Sequence, residues 1–85
     1  MSENNQLLER LAATQHEIWA HWMEYLFSVS RANPDGSVTI PAEKVARWRT
    51  QMHTTYAALA ESEKESDREQ AVKVLSALDD SGRID

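Results

Sequence analysis

A long amphipathic helix at the start of the chain constrains the fold more than any other feature. Apolar residues recur at helical spacing from Asn4 to Ser30. They cover an arc of roughly 200° around the helix, about twice the stripe that a surface helix needs. We therefore expect a central helix, covered on two sides by other helices or by a second copy of the chain. The apolar face comprises Leu7, Leu8, Leu11, Ala12, Ile18, Trp19, Trp22, Met23, Tyr25, Leu26, Phe27 and Val29.

The rest of the chain predicts two further helices and little sheet. Pro34 and Gly36 mark a turn after the first helix, because proline presets one turn dihedral and glycine readily supplies a positive φ. We expect a mainly α fold with three helices, a long first helix and at most a short strand or hairpin after the first turn. After the turn we predict a strand at 38–40, a helix at 42–53, an irregular connector at 54–56 and a helix at 61–79, with Gly82 as the residue that stops this last helix. The whole chain, 1–85, is expected to form one domain. Its ends, at about 1–4 and 80–85, are expected to be frayed.

The last helix carries charges on the line that its apolar residues define. Ala71, Val74, Leu75 and Leu78 predict a buried stripe, and the same line runs back through Lys64, Asp67 and Arg68. Near a helix N-terminus, Lys64 and Arg68 could hold a phosphate or carboxylate group. The alternative is internal pairing, of Lys64 with Asp67 or of Arg68 with an acid of the first helix.

Composition excludes several classes of function. The net charge of −5 argues against general DNA or RNA binding, and the absence of cysteine excludes disulfide scaffolds and cysteine-ligated zinc. No apolar run approaches the ~20 residues of a membrane span, and the first residues do not resemble a signal peptide, so we expect a cytoplasmic protein.

His16 and His21 are five residues apart, where a zinc-binding helix needs four. Since no nucleophile and base are placed to work together, we expect no metal, no cofactor and no enzyme.

Aromatic and basic residues supply the candidate binding groups. Trp19, Trp22 and Trp48 suit core packing, or one of them suits a pocket in which a flat ligand stacks. Lys44, Arg47 and Arg49 form a basic group beside Trp48 that is either solvated or suited to a nucleotide. His16 lies at the edge of the apolar face, where a hydrogen-bonded core histidine is expected.

Two segments resemble a known module, the ryanodine-receptor repeat or RyR-type domain. The first is Tyr56-x-x-Leu59-x-Glu61-x-Glu63-Lys64-x-x-Asp67-Arg68-x-x-Ala71-x-x-Val74-Leu75-x-x-Leu78, and the second is Leu11-x-x-x-x-His16-Glu17-Ile18-Trp19-Ala20. The resemblance implies a small helical module that occurs in tandem in calcium-release channels and as single copies in bacterial and phage proteins. Some of these modules are joined to nucleotide-sensing domains, and channel copies hold adenine nucleotides between paired repeats. The short single form is similar to phage or prophage accessory proteins, which suggests an anti-defence role.

Residue chemistry and resemblance together lead to two functional hypotheses. The first is a non-catalytic module that binds a nucleotide or a nucleotide-derived signal, including cyclic ones, and acts by sequestration. A homodimer would then place the site between protomers. The second is an adaptor or inhibitor that binds another protein through the wide apolar first helix. In the first hypothesis Trp19, Trp22 or Trp48 stacks the base, Lys64, Arg68 and Arg47 or Arg49 meet phosphate, and His16 and Tyr56 orient polar groups.

Overall fold

The computed structural model describes the backbone of residues 2–80 and the side chains of residues 5–79. Within these residues it confirms the mainly helical fold with a long first helix and a short hairpin after it. The predicted stop at Gly82 and the predicted fraying at 81–85 lie outside the described residues, whereas residues 2–4 and Asp80, also predicted to fray, are helical. The elements are α1 (Ser2–Val29), β1 (Arg31–Ala32), β2 (Val38–Thr39), α2 (Ala42–Met52), a 3₁₀ turn (Tyr56–Ala58) and α3 (Glu61–Asp80).

The hairpin forms where proline and glycine predicted a turn. Strands β1 and β2 pair antiparallel, with Arg31 opposite Thr39. The backbone N–H of Gly36 donates to the carbonyl of Asn33 at 3.1 Å, and Gly36 has a φ of +92° that side-chain-bearing residues rarely adopt. The Asp35 carboxylate accepts hydrogen bonds from the Ser37 backbone N–H and hydroxyl, and these bonds lower the pKa of Asp35. The turn is therefore stabilised by its own residues.

The two later helices begin where local sequence chemistry favours a start. Pro41 directly precedes α2, and its carbonyl accepts hydrogen bonds from the backbone N–H groups of Lys44 and Val45. At the start of α3, the backbone N–H of Ala60 donates to the Glu63 carboxylate at 3.3 Å. This bond is one half of a capping box, in which a glutamate at the third helical position satisfies a free N–H group.

Helices α1 and α3 pack directly against each other. Among the side chains of residues 5–79, the buried ones are Thr14 on α1 and Gln70 and Ala77 on α3. Gln70 and Ala77 are seven residues apart, which is about two helical turns, so they share one face of α3. The α3 face that contributes most to the packing is thus a narrow strip of small and polar side chains.

The predicted burial of the α3 apolar line is wrong. Leu75 is 61% exposed, and its three partners on that line are also exposed. The reason is that α3 turns the Gln70–Ala77 face, about a third of a turn away, toward α1. We name the exposed line, Ala71, Val74, Leu75 and Leu78, the α3 apolar stripe.

The wide apolar face of α1 is also only partly covered. Trp19 is 54% exposed and Phe27 is 57% exposed, whereas Ile18 and Trp22 are partly buried. The chain is flattened and elongated, with extents of 48 × 35 × 17 Å. Its radius of gyration is 16.8 Å, against about 12 Å for a compact domain of this length. Most of the large apolar side chains among the described residues are therefore not enclosed in a hydrophobic core.

Candidate functional site

Within the described residues, a groove of about 800 Å³ is bounded by the C-terminal half of α1, by α2, and by the start of α3 with the turn before it. Its size lies within the range typical of ligand pockets. We name this feature the central groove. It is lined by His21, Trp22, Met23, Tyr25 and Leu26 of α1, by Arg47, Trp48, Gln51 and Met52 of α2, and by Thr54, Tyr56, Leu59, Ser62, Glu63, Ser66, Asp67 and Glu69 beyond α2.

A chain of aromatic contacts forms one part of this lining. The rings of Trp22 and Tyr25 lie 6.4 Å apart at 87°, and the rings of Tyr25 and Trp48 lie 6.2 Å apart at 59°. His21 contacts Trp22 edge-on, with ring centroids 4.8 Å apart. Trp22 and Tyr25 are three residues apart on α1 and so share a face, while Trp48 reaches them from α2. These contacts give the groove several aromatic surfaces on which a ligand could pack.

The charged part of the lining is predominantly acidic. Glu63, Asp67 and Glu69 provide three carboxylates, and Arg47 provides the lining's one full positive charge. The Arg47 Nε atom lies 3.8 Å from a Glu63 carboxylate oxygen, so these two charges offset each other. Among the described residues, Asp67 and Glu69 have no cationic partner within salt-bridge distance. The groove therefore carries uncompensated negative charge.

Arg68 is paired within its own helix. Its guanidinium Nη1 donates to Glu61 at 2.7 Å and to Glu65 at 3.1 Å. These bonds raise the pKa of Arg68 and lower that of Glu61. Arg68 does not line the central groove. The predicted alternative of pairing is therefore the one observed, although the acids lie on α3 rather than on α1.

Lys64 lies beside the groove and not in its lining. Its ammonium nitrogen is 5.7 Å from the centroid of the Tyr56 ring, a cation–π distance. Tyr56 itself lines the groove. The predicted pair of Lys64 with Asp67 is not formed. Of the two cations predicted to meet phosphate at this helix end, Lys64 is the one near the groove.

His16 and Trp19 form a separate exposed pair. Their rings stack with centroids 5.7 Å apart and 27° between planes, and both side chains are exposed. Neither lines the central groove. The expectation that His16 is a core histidine is therefore wrong, because none of the elements within residues 2–80 covers that side of α1. Trp22 and Trp48 are the tryptophans that line the groove.

Arg49 lies in a different hollow from Arg47. The second hollow is shallow, and its lining contains Arg31 and Arg49 together with residues around Pro41. Because Arg47 and Arg49 are two residues apart on a helix, they point about 160° apart and cannot act on one ligand group. The predicted basic group around Trp48 is thus divided between two surfaces.

Sequence reasoning missed the acidic character of the groove. The sequence places Asp67 on the line of the apolar residues of the last helix and does not single out Glu69, yet both line the groove. They lie about 160° apart around α3, so they reach the groove from opposite flanks of the helix. Their common role depends on where α1 and α2 cross α3, and helical periodicity in one segment does not carry that information.

Comparisons with protein-family models, with characterised proteins and with solved structures give no match for this chain. The resemblance to the ryanodine-receptor repeat therefore stays a prediction. Among the described residues, no three histidine or acidic side chains are grouped closely enough to hold a metal ion. None of the described helices combines the length and apolar character of a membrane span.

Proposed function

We propose that the protein is a non-catalytic interaction module whose central groove binds an apolar segment of a partner protein that carries a basic side chain. The observation that supports this proposal is the combination of Trp22, Tyr25 and Trp48 with the unpaired carboxylates of Asp67 and Glu69. This choice corresponds to the adaptor hypothesis, with the groove in place of the open face of α1 as the binding surface.

The groove lining suits a cationic side chain for two physical reasons. The faces of aromatic rings carry partial negative charge, so a guanidinium or ammonium group within about 6 Å of a ring centroid is attracted to it. A carboxylate also accepts charge-assisted hydrogen bonds from the same group, and arginine can donate two such bonds in parallel. Aromatic and arginine side chains are moreover the groups most enriched at the centres of protein interfaces.

The same lining offers little to a phosphate group. The lining contains three carboxylates and one guanidinium, that of Arg47, and Glu63 already lies beside this guanidinium. Arg68 donates to two glutamates and lies outside the groove. A nucleotide is therefore the second candidate ligand, favoured by the aromatic rings and by Lys64 next to Tyr56.

Tryptophan fluorescence tests the proposal directly. Three probes would be titrated in turn: a synthetic 12-residue peptide that alternates leucine and arginine, the same peptide with glutamate in place of arginine, and a mixture of AMP and cyclic di-AMP. We expect a saturable change with the arginine peptide and none with the glutamate peptide or the nucleotides. Saturable nucleotide binding without arginine-peptide binding would overturn the proposal in favour of the second candidate.

Removing the two unpaired groove carboxylates tests whether the groove is the binding surface. The double variant Asp67→Asn, Glu69→Gln keeps side-chain size, and we expect peptide affinity to fall about tenfold, since each exposed charge pair contributes up to about 1 kcal/mol. The matched control is Glu17→Gln, Glu24→Gln, which removes two negative charges from α1 positions outside the groove lining. Equal losses in both double variants would show non-specific attraction to an acidic protein and would contradict the proposal.

A further inference from the structure

The shallow second hollow lies between the hairpin and one face of α2, and we name it the basic hollow. Its volume is about 560 Å³, within the range of small-molecule pockets. Its α2 wall is a single helical face with i, i+3, i+4, i+7 spacing, made of Ala42, Val45, Ala46 and Arg49. The rest of the lining is Arg31, Thr39, Ile40 and Pro41.

Two arginines reach the basic hollow from different elements. Arg31 on β1 is directly opposite Thr39 on β2, so these two side chains share one face of the hairpin. Arg49 is in the last turn of α2. Helical side chains lean toward the N-terminus of their helix, which here is the end next to the hairpin. The fold therefore brings together two cations that are 18 residues apart in the sequence.

The lining of the basic hollow contains no carboxylate to offset these two charges. Within the described side chains, no aspartate or glutamate lies within salt-bridge distance of Arg31 or Arg49. Glu43 in the first turn of α2 lies outside the lining. Arg47 and Arg68, by contrast, do pair with glutamates in this chain of 14 acids and 9 bases. In the basic hollow, like charges thus repel without a counter-charge, and a bound anion would relieve this repulsion.

We infer that the basic hollow binds a small molecule in which a phosphate or carboxylate group is attached to an apolar body. The two guanidinium groups can donate charge-assisted hydrogen bonds to the oxygens of such an anion. The Thr39 hydroxyl oxygen accepts a hydrogen bond from the Asn33 side-chain amide at 3.1 Å, so its own O–H remains as a further donor. Ile40 and Val45 supply apolar surface for the rest of the ligand.

The basic hollow and the central groove are separate surfaces. They share no lining residue, and binding in the hollow does not depend on the function proposed for the groove. Their charges also differ in sign, since the groove lining contains three carboxylates and one guanidinium. An anionic ligand is therefore attracted to the hollow and repelled by the groove, so the two surfaces select different partners.

NMR chemical-shift mapping on the ¹⁵N-labelled wild-type chain tests both the anion and the apolar body. Four probes would be titrated separately to about 10 mM: phenyl phosphate, benzoate, inorganic phosphate and benzyl alcohol. We expect at least one of the two aromatic anions to give saturable shifts at the backbone amides of 39–49. It should bind more tightly than inorganic phosphate, and the neutral alcohol should not bind. The tighter of the two aromatic anions identifies the preferred charged group.

Three results of this mapping would overturn the inference. The first is the absence of saturable shifts with both aromatic anions. The second is binding of inorganic phosphate as tightly as the better aromatic anion, since the apolar lining would then contribute nothing. The third is a set of saturable shifts confined to the indole groups of Trp22 and Trp48, which would place the ligand in the central groove.

Neutral variants of the two arginines test whether the hollow is the binding surface. We expect Arg31→Gln and Arg49→Gln each to lower the affinity for the tighter aromatic anion about fivefold, the size of one exposed charge contact. Arg10→Gln is the matched control, because Arg10 is exposed and lies outside the lining of the hollow. Unchanged affinity in Arg31→Gln or Arg49→Gln, or an equal loss in Arg10→Gln, would contradict the inferred site. The mapping on the wild-type chain stays decisive if a variant does not fold.

Discussion

At the scale of the residue, Arg68 shows how a candidate ligand group can be used by its own helix. Its guanidinium bridges Glu61, seven residues earlier, and Glu65, three residues earlier. Glu61 and Glu63 lie in the first turn of α3, where the helix dipole favours negative charge. Arg68 offsets the negative charges of Glu61 and Glu65. A cation occupied in this way has little left to offer a phosphate.

The Glu61–Arg68 contact predicts a pH dependence with a defined sign. Because the hydrogen bond from Arg68 lowers the pKa of Glu61 below its ordinary value of 4.5, the contact stabilises the folded chain fully above that pH. The stabilisation is lost as the pH falls through the lowered pKa of the folded state. In an NMR titration of the carboxyl carbons, we expect Arg68→Gln to raise the pKa of Glu61.

Asp35 is the internal control for that titration. Its pKa is lowered by Ser37 in the hairpin turn, so Arg68→Gln should leave it unchanged. If the pKa values of Glu61 and Asp35 both rose, the substitution would have changed the global fold or the electrostatic potential of the whole protein. The specific role of the Arg68 guanidinium would then be refuted.

At the scale of the element, the packing of α1 on α3 includes an unsatisfied polar group. Among the described residues, nothing donates a hydrogen bond to the buried side-chain oxygen of Gln70. Such a group loses its hydration on folding without a replacement bond, which costs about 1–3 kcal/mol. Gln70 therefore weakens the main helix–helix contact of the described chain.

Replacing Gln70 with methionine should strengthen this contact. Methionine has a similar length and helix propensity but no unsatisfied oxygen, so we expect Gln70→Met to raise the free energy of unfolding by about 1 kcal/mol. Urea denaturation at a fixed protein concentration measures the change. Gln6→Met on the exposed side of α1 is the control and should alter the free energy by less than about 0.5 kcal/mol. A clear loss of stability in Gln70→Met would indicate that the glutamine oxygen has a partner in solution.

At the scale of the whole molecule, the chain is extended, and large apolar side chains such as Trp19, Phe27 and Leu75 are exposed. A radius of gyration of 16.8 Å and 6614 Å² of accessible surface exceed the values for a compact domain of 85 residues. A chain that buries few large side chains on its own gains little hydrophobic stabilisation. Its stability should therefore be coupled to association.

This coupling predicts that the melting temperature depends on protein concentration. For a dimer that dissociates as it unfolds, each tenfold increase in concentration adds about 1.4 kcal/mol per dimer, which corresponds to about 4 °C for two chains of this length. Differential scanning calorimetry from 10 to 1,000 µM, a range of about two decades, would measure the shift. A concentration-independent melting temperature for the wild-type chain would count against association as the source of stability.

Local chemistry was sufficient to predict the elements of this fold. Helical periodicity predicted three helices, and Pro34 with Gly36 predicted the turn that became the hairpin. These features depend on residues a few positions apart, so they can be derived from the sequence directly.

The candidate site was predicted only in part. Of the predicted site residues, those that line the groove are Trp22, Trp48, Tyr56 and Arg47, and those that do not are His16, Trp19, Lys64, Arg68 and Arg49.

The sequence by itself determined where each helix lies, to within about two residues at its ends, and which of its faces are apolar. Only the tertiary structure decided which apolar face is used inside the chain, because α3 packs on α1 through Gln70 and Ala77 and leaves Leu75 exposed. Periodicity identifies a face that avoids water, but it does not specify what covers that face. Close approach of two helices depends on small side chains at their crossing point, and that is a property of the pair of helices.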